Sequence, residues 1–503
     1  MQFSTCIDRL EIAGLLASAQ NPSGVNIDRL AIDSREVGPS DCFVALRGAS
    51  ADGHLFIDKA VKNGASAIVS EAGADAVHTA TSAGRPAPAF AHVSDSHRAL
   101  AELSSLFHSD PGHSLCVVAT TGTNGKTTVA TLLAHVLNNT GHSSGFIGTT
   151  GYRYQNHSVS ASHTTPSPVQ FYEMLSDMLK AGCTHCSMEA SSHAIDQSRF
   201  RIQDVDTAVF TNLTRDHLDY HHTFEAYGAS KKRLFDELDP TSTAVSNLDD
   251  PFGEYMVRDT RASVVTYGGQ SDATIRYRIL ENELSGLKLE IDGVTSRFKL
   301  AGRFNAANLV AAYAASLSLG VHGIQALEVL AECPPVEGRM EVIVLENGTT
   351  AIVDYAHTPD ALENVLSTVK QSLPSGSKLW CVFGCGGDRD KGKRPEMGGI
   401  AQKIADHVVV TSDNPRTEDA ASILEDIRTG MKPQNTVYWI VDRREAIHTA
   451  AREMNPGDTL VIAGKGHETV QVIGAEKFHF DDREVAKQAF ASIGWPTKRG
   501  QSV

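Results

Sequence analysis

Short runs of apolar and β-branched residues alternate with stretches of helical periodicity along most of the chain. The runs that predict buried strands are 115–119, 207–212, 243–248, 350–354, 379–383, 407–411, 437–441 and 459–463. After the first run, a glycine-containing loop leads to a helical face formed by Val129, Leu132, Leu133, Val136 and Leu137. Strands that alternate with amphipathic helices are typical of parallel sheets covered by helices on both faces. The pattern therefore predicts an α/β protein.

Two turn-rich breaks divide the 503 residues, a length that accommodates about three domains at roughly 150 residues each. The polar segment 108–114 precedes the first buried strand, and Pro334–Pro335 separates a helical stretch from a new strand. We predict a smaller N-terminal α/β domain, a central mostly parallel sheet with helices on both faces, and a C-terminal Rossmann-like α/β domain. Their predicted ranges are 1–112, 113–333 and 334–503.

The composition is that of a globular protein with an acidic surface. Hydrophobic residues make up 41% and charged residues 21% of the chain, which argues against disorder. The 45 Lys and Arg against 60 Asp and Glu give a formal net charge of −15. This balance disfavours nucleic-acid and anionic-membrane partners. Any anionic ligand must be held by local basic residues and backbone N–H groups.

The eight cysteines are too few for a disulfide scaffold and favour a reducing compartment. Cys183 and Cys186 form a lone CxxC without the second pair that a zinc site needs, so we expect a structural role for both. The N-terminus lacks a basic leader, and no run reaches the roughly 18 apolar residues of a membrane helix. We therefore expect a cytoplasmic protein. We also expect a monomer with small-molecule partners.

A phosphate-binding loop follows the strand at 115–119. Residues 120–128 are TTGTNGKTT, and they lie between a buried strand and an amphipathic helix. Gly122 and Gly125 let backbone N–H groups face phosphate oxygens, Lys126 adds a positive charge, and Thr127 can reach Mg²⁺. Thr120 stands where the strict pattern has glycine. Such a loop serves kinases, motors, switches and ligases alike, so it predicts nucleotide binding without naming the reaction.

Further motifs resemble those of one family. MEASSHAIDQSR (188–199), TNLTRDHLDYH (211–221), GRFNAAN (302–308), EGRME (337–341) and DYAHTPDAL (354–362) follow TGTNGKTT in order. Together they are similar to the motifs of the Mur ligases, which add amino acids to the peptide of UDP-N-acetylmuramic acid. The resemblance spans about residues 30 to 485 and is strongest to the enzymes that add the third residue. It implies three domains and an ATP-driven amide ligation through an acyl phosphate.

The resemblance also implies a Mg²⁺ site with a modified lysine. Glu189 and His217 follow strand-like runs and would join Thr127 near the phosphates. Read alone, such a Glu or His is more often a hydrogen-bonded loop residue. Lys231 matches the family lysine that CO₂ carbamylates, although Ser230 replaces the usual alanine. Carbamylation needs the neutral amine, which burial favours. We expect the neighbouring Lys232 and Arg233 to lie on a solvated helix face.

Nucleotide and precursor contacts are carried over from the family residue by residue. The implied ATP-binding residues are Gly122, Thr123, Asn124, Gly125, Lys126, Thr127, Thr128, Asn305, Arg339 and Asp354. Residues implied to bind the UDP-N-acetylmuramoyl dipeptide are Ser34, Thr164, Thr165, Ser191, Gln197 and Arg199, with the loop 49–51 near uracil. Alternatively, Asn305 and Asn308 are helix N-caps, and the Ser and Thr residues are turn or capping residues. His357 belongs to the motif set without an assigned role.

Three loops of the C-terminal third predict the amino acid that is added. They follow the strands at 379–383, 407–411 and 459–463, and carry Arg389, Asp413, Asn414, Pro415, Arg416, Gly464 and Glu468. Guanidinium groups bind carboxylates in bidentate fashion, and acidic groups bind ammonium ions. The DNPR motif resembles that of family members that add meso-diaminopimelate. This amino acid has a second carboxylate, which lysine does not have. The alternative is an ordinary solvated turn.

Three other functions compete with this interpretation. A folylpolyglutamate synthase shares the ligase chemistry, but the block DSREVGPSDCFVALRG (33–48) and DNPR argue against it. A nucleotide-dependent switch or transporter ATPase would hydrolyse ATP without an amine acceptor. A non-catalytic relative would not be expected to keep Lys126, Glu189, His217 and Lys231 together.

Overall fold

Three sheets follow one another along the chain, each packed against helices. The computed structural model describes residues 1–48, 51–73, 87–270 and 272–498. The loop predicted near uracil, 49–51, lies outside the described residues apart from Ala51. No helix in the described ranges is both long and apolar enough to cross a membrane.

The N-terminal sheet has five strands in the order β1-β5-β4-β3-β2, and only β1 runs antiparallel to its neighbour. The strands are β1 Leu16–Gln20, β2 Arg29–Ala31, β3 Asp41–Val44, β4 Ala67–Ser70 and β5 Ala89–Val93. The helices are α1 Phe3–Ile12, α2 Ile57–Asn63 and α3 Ser96–Phe107.

The central sheet has eleven strands in the order β16-β15-β14-β13-β12-β11-β6-β10-β7-β8-β9. Its strands are β6 Cys116–Thr121, β7 Ser144–Gly148, β8 Gly151–Tyr154, β9 His157–Val159, β10 His185–Glu189, β11 Thr207–Phe210, β12 Thr243–Asn247, β13 Ser263–Gly268, β14 Ile275–Glu283, β15 Gly286–Ile291 and β16 Val294–Phe298. The helices are α4 Lys126–Asn139, α5 Pro168–Lys180, α6 Ser192–Asp196, α7 Leu218–His221, α8 Phe224–Asp236, α9 Gly253–Val257, α10 Arg303–Ser318 and α11 Gly323–Glu332. The seven consecutive strands in the middle of the sheet are parallel, namely β7, β10, β6, β11, β12, β13 and β14, and antiparallel hairpins extend the sheet at both ends.

The C-terminal sheet has six strands in the order β17-β18-β22-β19-β20-β21, followed by a separate hairpin. The strands are β17 Glu341–Val344, β18 Thr350–Asp354, β19 Leu379–Phe383, β20 His407–Val410, β21 Val437–Trp439 and β22 Thr459–Ala463, and the hairpin is β23 Val470–Ile473 with β24 Glu476–His479. The helices are α12 Pro359–Gln371, α13 Lys393–Ile404, α14 Ala420–Arg428, α15 Arg443–Glu453 and α16 Asp482–Ser492.

Helices bury both faces of the central sheet. Val118, Val209 and Val245 face the core that contains α4 and α10. On the same strands, Ala119 follows Val118 and Ala208 precedes Val209, and both alanines face the opposite core. Burial on both faces explains why these strands are continuous apolar runs rather than alternating ones. The predicted fold class is confirmed, whereas the domain boundaries at 112 and 333 stay predictions.

The order of the central strands positions the site. Strand β6 lies between β10 and β11, and all three run parallel. Their carboxyl ends therefore meet at one edge, where open α/β sheets bind ligands. The loops that leave this edge are the phosphate-binding loop, the segment after Glu189 and the segment 211–217.

Candidate active site

A cavity of about 530 Å³ opens at the carboxyl edge of the central sheet. Its lining includes most of the phosphate-binding loop together with residues of the second and third sheets of the chain. The residues predicted from the sequence that line it are Thr123, Asn124, Gly125, Lys126, Thr127, Thr128, Thr164, Glu189, Ser191, His217, Lys231, Asn308, Arg339, Asp354 and His357. Residues predicted for nucleotide, metal and part of the precursor are thus brought to one space.

Two glycines of the loop are required by close packing. Gly122 has φ 149°, and a Cβ there would lie 1.9 Å from Oγ1 of Thr211. Gly125 has φ 88°, and a Cβ there would lie 2.4 Å from Oδ1 of Asn308. Both the left-handed backbone and the lack of space exclude a side chain. The loop is therefore shaped by residues far away in sequence.

Two lysines converge on one carbonyl of the loop. Lys126 Nζ donates to the carbonyl oxygens of Gly122 at 2.9 Å and Thr123 at 2.8 Å. Lys231 Nζ, from α8, donates to the same Gly122 oxygen at 2.8 Å. Burial, and then the charge of Lys126, lower the pKa of Lys231 well below its usual range. This environment favours the neutral amine that carbamylation needs.

Glu189 is held from three sides at the end of β10. Its Oε1 accepts the backbone N–H of Thr149 at 2.7 Å, and its Oε2 accepts the hydroxyls of Thr149 at 3.1 Å and Thr127 at 3.0 Å. The carboxylate is therefore fixed beside the first turn of α4. Thr149 was not predicted, because only its position in the turn after β7 brings it to Glu189.

His217 presents a neutral imidazole to the cavity. Burial lowers its pKa to about 3, and its backbone has φ 54°. With Glu189 and the Thr127 hydroxyl, it supplies oxygen and nitrogen donors that a divalent cation accepts. Within the described ranges, no group of three His, Cys, Asp or Glu side chains is arranged to hold a metal. A cation here would therefore depend on phosphate oxygens and on a lysine that has become anionic.

The residues predicted for the muramoyl peptide form a connected network. Thr165 Oγ1 donates to the backbone oxygen of Glu189 at 2.6 Å, and Ser191 donates its N–H to Thr165 Oγ1 at 3.2 Å. Arg199 donates to the Thr165 carbonyl at 2.7 Å and to Gln197 Oε1 at 3.0 Å. Their hydrogen bonds link this network directly to Glu189. Ser34 is apart from it, buried in the loop between β2 and β3 of the N-terminal sheet.

Asn305 and Asn308 are not N-caps. Helix α10 begins at Arg303 after Gly302, so both asparagines lie inside its first two turns. Asn305 Nδ2 donates to the Ala301 carbonyl at 2.7 Å, and Asn308 Nδ2 donates to Asn305 Oδ1 at 2.9 Å. The Asn308 side chain packs against Gly125, so these two hydrogen-bonded amides connect α10 to the phosphate-binding loop.

Arg339 joins the C-terminal part of the chain to the phosphate-binding loop. Its Nη2 donates to Oγ1 of Thr127 at 2.9 Å, and its guanidinium carbon lies 4.4 Å from the centre of the Tyr355 ring. Burial, and then the carboxylate of Glu468, raise the pKa of Tyr355, and Asp413 and Glu189 act in the same direction. The Tyr355 ring also lies 5.1 Å from the ring of His467, in the loop after β22, so Tyr355 contacts both the nucleotide side of the site and one of the loops predicted for diaminopimelate.

Asp354 lies at the end of β18, next to Tyr355. Its Oδ2 accepts the backbone N–H of Met340 at 2.7 Å, and burial raises its pKa. His357 is 3.8 Å from Asp216 Oδ2 and lies near the same cavity.

The three loops predicted for diaminopimelate converge at the carboxyl edge of the C-terminal sheet. Asn414 Nδ2 donates to Glu468 Oε2 at 2.8 Å, and a Cβ on Gly464 would lie 2.6 Å from Asp413 Oδ2. Arg416 Nη1 donates to the Gly387 carbonyl at 2.8 Å, close to the exposed Arg389. Burial, and then the charge of Arg389, lower the pKa of Arg416. The loops bring Arg389 and Arg416 near Asp413 and Glu468, with Pro415 in the turn between Asn414 and Arg416.

The expectation of a solvated face for Lys232 and Arg233 is wrong for Lys232. Lys232 is 7% exposed and its Nζ lies 2.5 Å from Asp236 and 2.6 Å from Asp259. Arg233 is half-buried and donates to the Ile195 carbonyl at 3.0 Å. Asp236, four residues after Lys232, was the visible signal of a helical ion pair. By contrast, Cys183 and Cys186 are buried and free, in agreement with a structural role.

Three family models match consecutive parts of the chain. They are described as the Mur ligase family catalytic domain over residues 26–108, the Mur ligase middle domain over 120–316, and the Mur ligase glutamate ligase domain over 338–466.

Curated relatives named UDP-N-acetylmuramoyl-L-alanyl-D-glutamate--2,6-diaminopimelate ligase match nearly the whole chain. The protein from Parabacteroides distasonis is 42% identical over 98% of this chain and 99% of its own length. Those from Cytophaga hutchinsonii and Bacillus cereus are 40% and 41% identical, over 95% and 93% of this chain and 98% and 94% of their own lengths.

Solved structures have the same architecture. A structure of a ligase with the same name as these relatives is 34% identical, covers 96% of this chain and 99% of its own, and has a TM-score of 0.66. A folylpolyglutamate synthase from Mycobacterium tuberculosis is 19% identical, covers 73% of this chain and 92% of its own, and has a TM-score of 0.57. The second likeness shows a shared fold alone.

Proposed function

Because this chain belongs to the Mur ligase family, we propose that it is an ATP-dependent ligase that joins meso-diaminopimelate to UDP-N-acetylmuramoyl-L-alanyl-D-glutamate. The new amide forms at the γ-carboxylate of D-glutamate. The observation that carries the proposal is the position of Tyr355, with Arg339 and the phosphate-binding loop on one side and the ring of His467, from the loop after β22, 5.1 Å away on the other.

In the first step, the γ-carboxylate attacks the γ-phosphorus of ATP and ADP leaves, which produces an acyl phosphate. Positioning and charge neutralisation supply most of the rate in phosphoryl transfer. Lys126 exchanges its two carbonyl contacts in the loop for phosphate oxygens. Arg339 lies beside Thr127 and neutralises charge on the same phosphates.

Mg²⁺ is the expected cofactor, because Thr127, Glu189, His217 and a carbamylated Lys231 offer donors that fit it; when bound, it would offset the charge of the phosphates. Thr149 fixes Glu189 for this purpose through two hydrogen bonds. Lys231 with its lowered pKa is the group that CO₂ modifies.

In the second step, an amine of diaminopimelate attacks the acyl carbon and inorganic phosphate leaves. The ammonium form first loses one proton to solvent, and a second proton leaves to solvent as the amide forms. Arg389 and Arg416 bind the distal carboxylate of the amino acid, and Asp413 and Glu468 bind its ammonium group. The convergence of these four side chains at one sheet edge supports this assignment.

The test is ADP release from UDP-N-acetylmuramoyl-L-alanyl-D-glutamate and ATP with meso-diaminopimelate, with L-lysine or without an amine. We expect turnover that depends on diaminopimelate. Turnover with lysine that equals or exceeds it would contradict the assigned specificity. Turnover without any amine would favour an ATPase or a switch instead.

Two properties accompany this function. All substrates are small molecules of precursor synthesis, so we place the enzyme in the cytoplasm without nucleic-acid or membrane partners. We also expect an active monomer. Activity in sedimentation fractions of monomer mass would support this expectation, and activity confined to a larger species would contradict it.

A further inference from the structure

Lys465 is a buried cation in the loop after β22. It is 0% exposed, and its Nζ donates to Asn414 Oδ1 at 3.2 Å, Glu468 Oε2 at 3.0 Å and the Val470 carbonyl at 2.6 Å. These three acceptors use all three ammonium hydrogens. The side chain therefore has no hydrogen left for a ligand and can act on one only through its neighbours.

Both side-chain neighbours are residues assigned to diaminopimelate. Asn414 Oδ1 accepts from Lys465 and from the Val472 backbone N–H at 2.9 Å, while Asn414 Nδ2 donates to Glu468 Oε2 at 2.8 Å. A flipped amide would turn its NH₂ group toward two donors. Lys465 thus determines which way the Asn414 amide points.

The same contacts leave one oxygen of Glu468 for a ligand. Oε2 accepts from both Asn414 and Lys465. Oε1 accepts no hydrogen bond from any residue in the part of the chain that the structure describes, and the side chain is 27% exposed. An ammonium ion of the substrate would therefore meet Oε1 of a carboxylate whose charge Lys465 already offsets.

We propose that Lys465 is a positioning residue that makes the site selective for a distal centre with both a carboxylate and an ammonium group, an inference that rests on the proposed function. With Lys465 in place, a lone ammonium such as that of lysine gains little from Glu468. A carboxylate still gains from Arg416 and Arg389. Removing the Lys465 charge leaves the negative charge of Glu468 uncompensated. Glu468 then attracts the distal ammonium group of lysine more strongly and repels the distal carboxylate of diaminopimelate. Specificity of this kind is a difference between two affinities.

The experiment compares kcat/KM for meso-diaminopimelate and L-lysine in Lys465→Met, which keeps an unbranched side chain without the charge. We expect the ratio of the two values to fall at least tenfold, chiefly through a higher KM for diaminopimelate. The control is Lys477→Met, an equal loss of charge at an exposed position of β24, and its ratio should equal that of the wild type. Lys465→Gln, which keeps a hydrogen-bond donor, should lower the ratio in the same direction.

Loss of both activities by the same factor would assign Lys465 a merely structural role and overturn the proposal. Failure of both Lys465 variants to fold, judged by thermal unfolding, would overturn it as well. A wild-type enzyme that does not use diaminopimelate would instead refute the proposed function, so the two failures are distinguishable.

Discussion

At the scale of single residues, the site depends on backbone conformations that most side chains avoid. His217 has φ 54° and Arg416 has φ 53°. Such conformations cost about 1–3 kcal/mol and cluster at functional sites. The hairpin β23–β24 holds Arg416 in place, because Arg416 N–H donates to the Val472 carbonyl at 3.1 Å and Gly474 N–H donates to the Arg416 carbonyl at 2.7 Å. The surrounding chain therefore aims the guanidinium group before substrate arrives.

Arg416→Lys is expected to weaken use of diaminopimelate by about 1.5–3 kcal/mol, the range of a hydrogen bond to a charged group. Lysine keeps the charge but loses the planar fork that matches a carboxylate. Steady-state kinetics with diaminopimelate as the varied substrate measure the effect as a higher KM. The same substitution at the exposed Arg444, which contacts Gln488 and the Phe480 ring, serves as control. Equal KM values for both variants and the wild type would exclude Arg416 from carboxylate binding.

Gly125→Ala is expected to abolish nucleotide binding, because its Cβ would lie 2.4 Å from Asn308 Oδ1. Gly141→Ala is a matched control: Gly141 has φ 90°, close to the 88° of Gly125, and nothing lies within 4 Å of its Cβ position. Each variant loses roughly 1–2 kcal/mol of stability through the left-handed backbone. Calorimetric titration with ADP should show binding only to the Gly141 variant. Binding by the Gly125 variant would contradict the close approach of Asn308 as a constraint on the loop.

The sequence predicts the phosphate-binding loop well because its residues are contiguous and their chemistry is local. It does not predict Asn308 against Gly125 or Thr149 against Glu189, because these contacts depend on tertiary packing. Lys465 is visible within GKGHE, but only the structure shows that it contacts Asn414 and Glu468.

At the scale of elements, continuous apolar runs were predicted more closely than mixed ones. β18, β19 and β22 have the predicted bounds, whereas β14 to β16 were not predicted at all. Residues 275–281 of β14 alternate between buried or half-buried and exposed positions, and charged residues interrupt the apolar pattern. Such a strand is recognised from its pairing rather than from its hydrophobicity.

A buried ion pair braces two elements beneath the diaminopimelate loops. Arg443 and Asp482 have side chains that are 0% exposed, and Arg443 Nη2 lies 2.7 Å from Asp482 Oδ2. Arg443 also donates to the Ser412 carbonyl at 3.4 Å and the Ala463 carbonyl at 3.0 Å. These carbonyls directly precede Asp413 and Gly464. The first turn of α15 therefore aligns the ends of β20 and β22.

Asp482→Ala is expected to lower the free energy of unfolding by about 3–5 kcal/mol, because it leaves Arg443 buried without its counter-ion. Glu445→Ala breaks the exposed pair with Arg452 and should cost less than about 1 kcal/mol. Urea denaturation measures both. The double variant Arg443→Met with Asp482→Leu should recover most of the stability yet use diaminopimelate poorly. Wild-type kinetics in that double variant would show that the bridge to the two carbonyls has no functional role.

At the scale of the whole molecule, ion pairs join the three sheets. Arg9 of α1 and Arg201 of the central part share Glu102 and Asp110 near the first junction. At the second junction, Arg215 Nε lies 3.1 Å from Asp390 Oδ2, and Asp216 Oδ1 lies 3.4 Å from Lys393 Nζ. Asp216 lines the cavity, so this second set of ion pairs holds the C-terminal sheet beside the site.

Arg215→Glu is expected to reduce kcat/KM roughly fivefold, a loss of about 1 kcal/mol for a partly exposed pair turned repulsive. Combining it with Asp390→Arg restores the attraction with reversed polarity and should recover most of the activity. Arg278→Glu, which disrupts the Arg278–Glu290 pair within the β14–β15 hairpin, is the control. Additive losses in the double variant would contradict a role of this pair in holding the two sheets together.

The margins of the central sheet affect how the protein behaves at high concentration. An open sheet edge is a template for pairing with another chain, and short or charged edge strands suppress such pairing. One margin is β9, which has three residues, all exposed. The other is β16, where Arg297 pairs with Glu281, next to the Glu281–Lys288 pair. Neither edge strand of the eleven-stranded sheet is therefore both long and apolar. This protects the folded enzyme from pairing edge to edge into ordered aggregates.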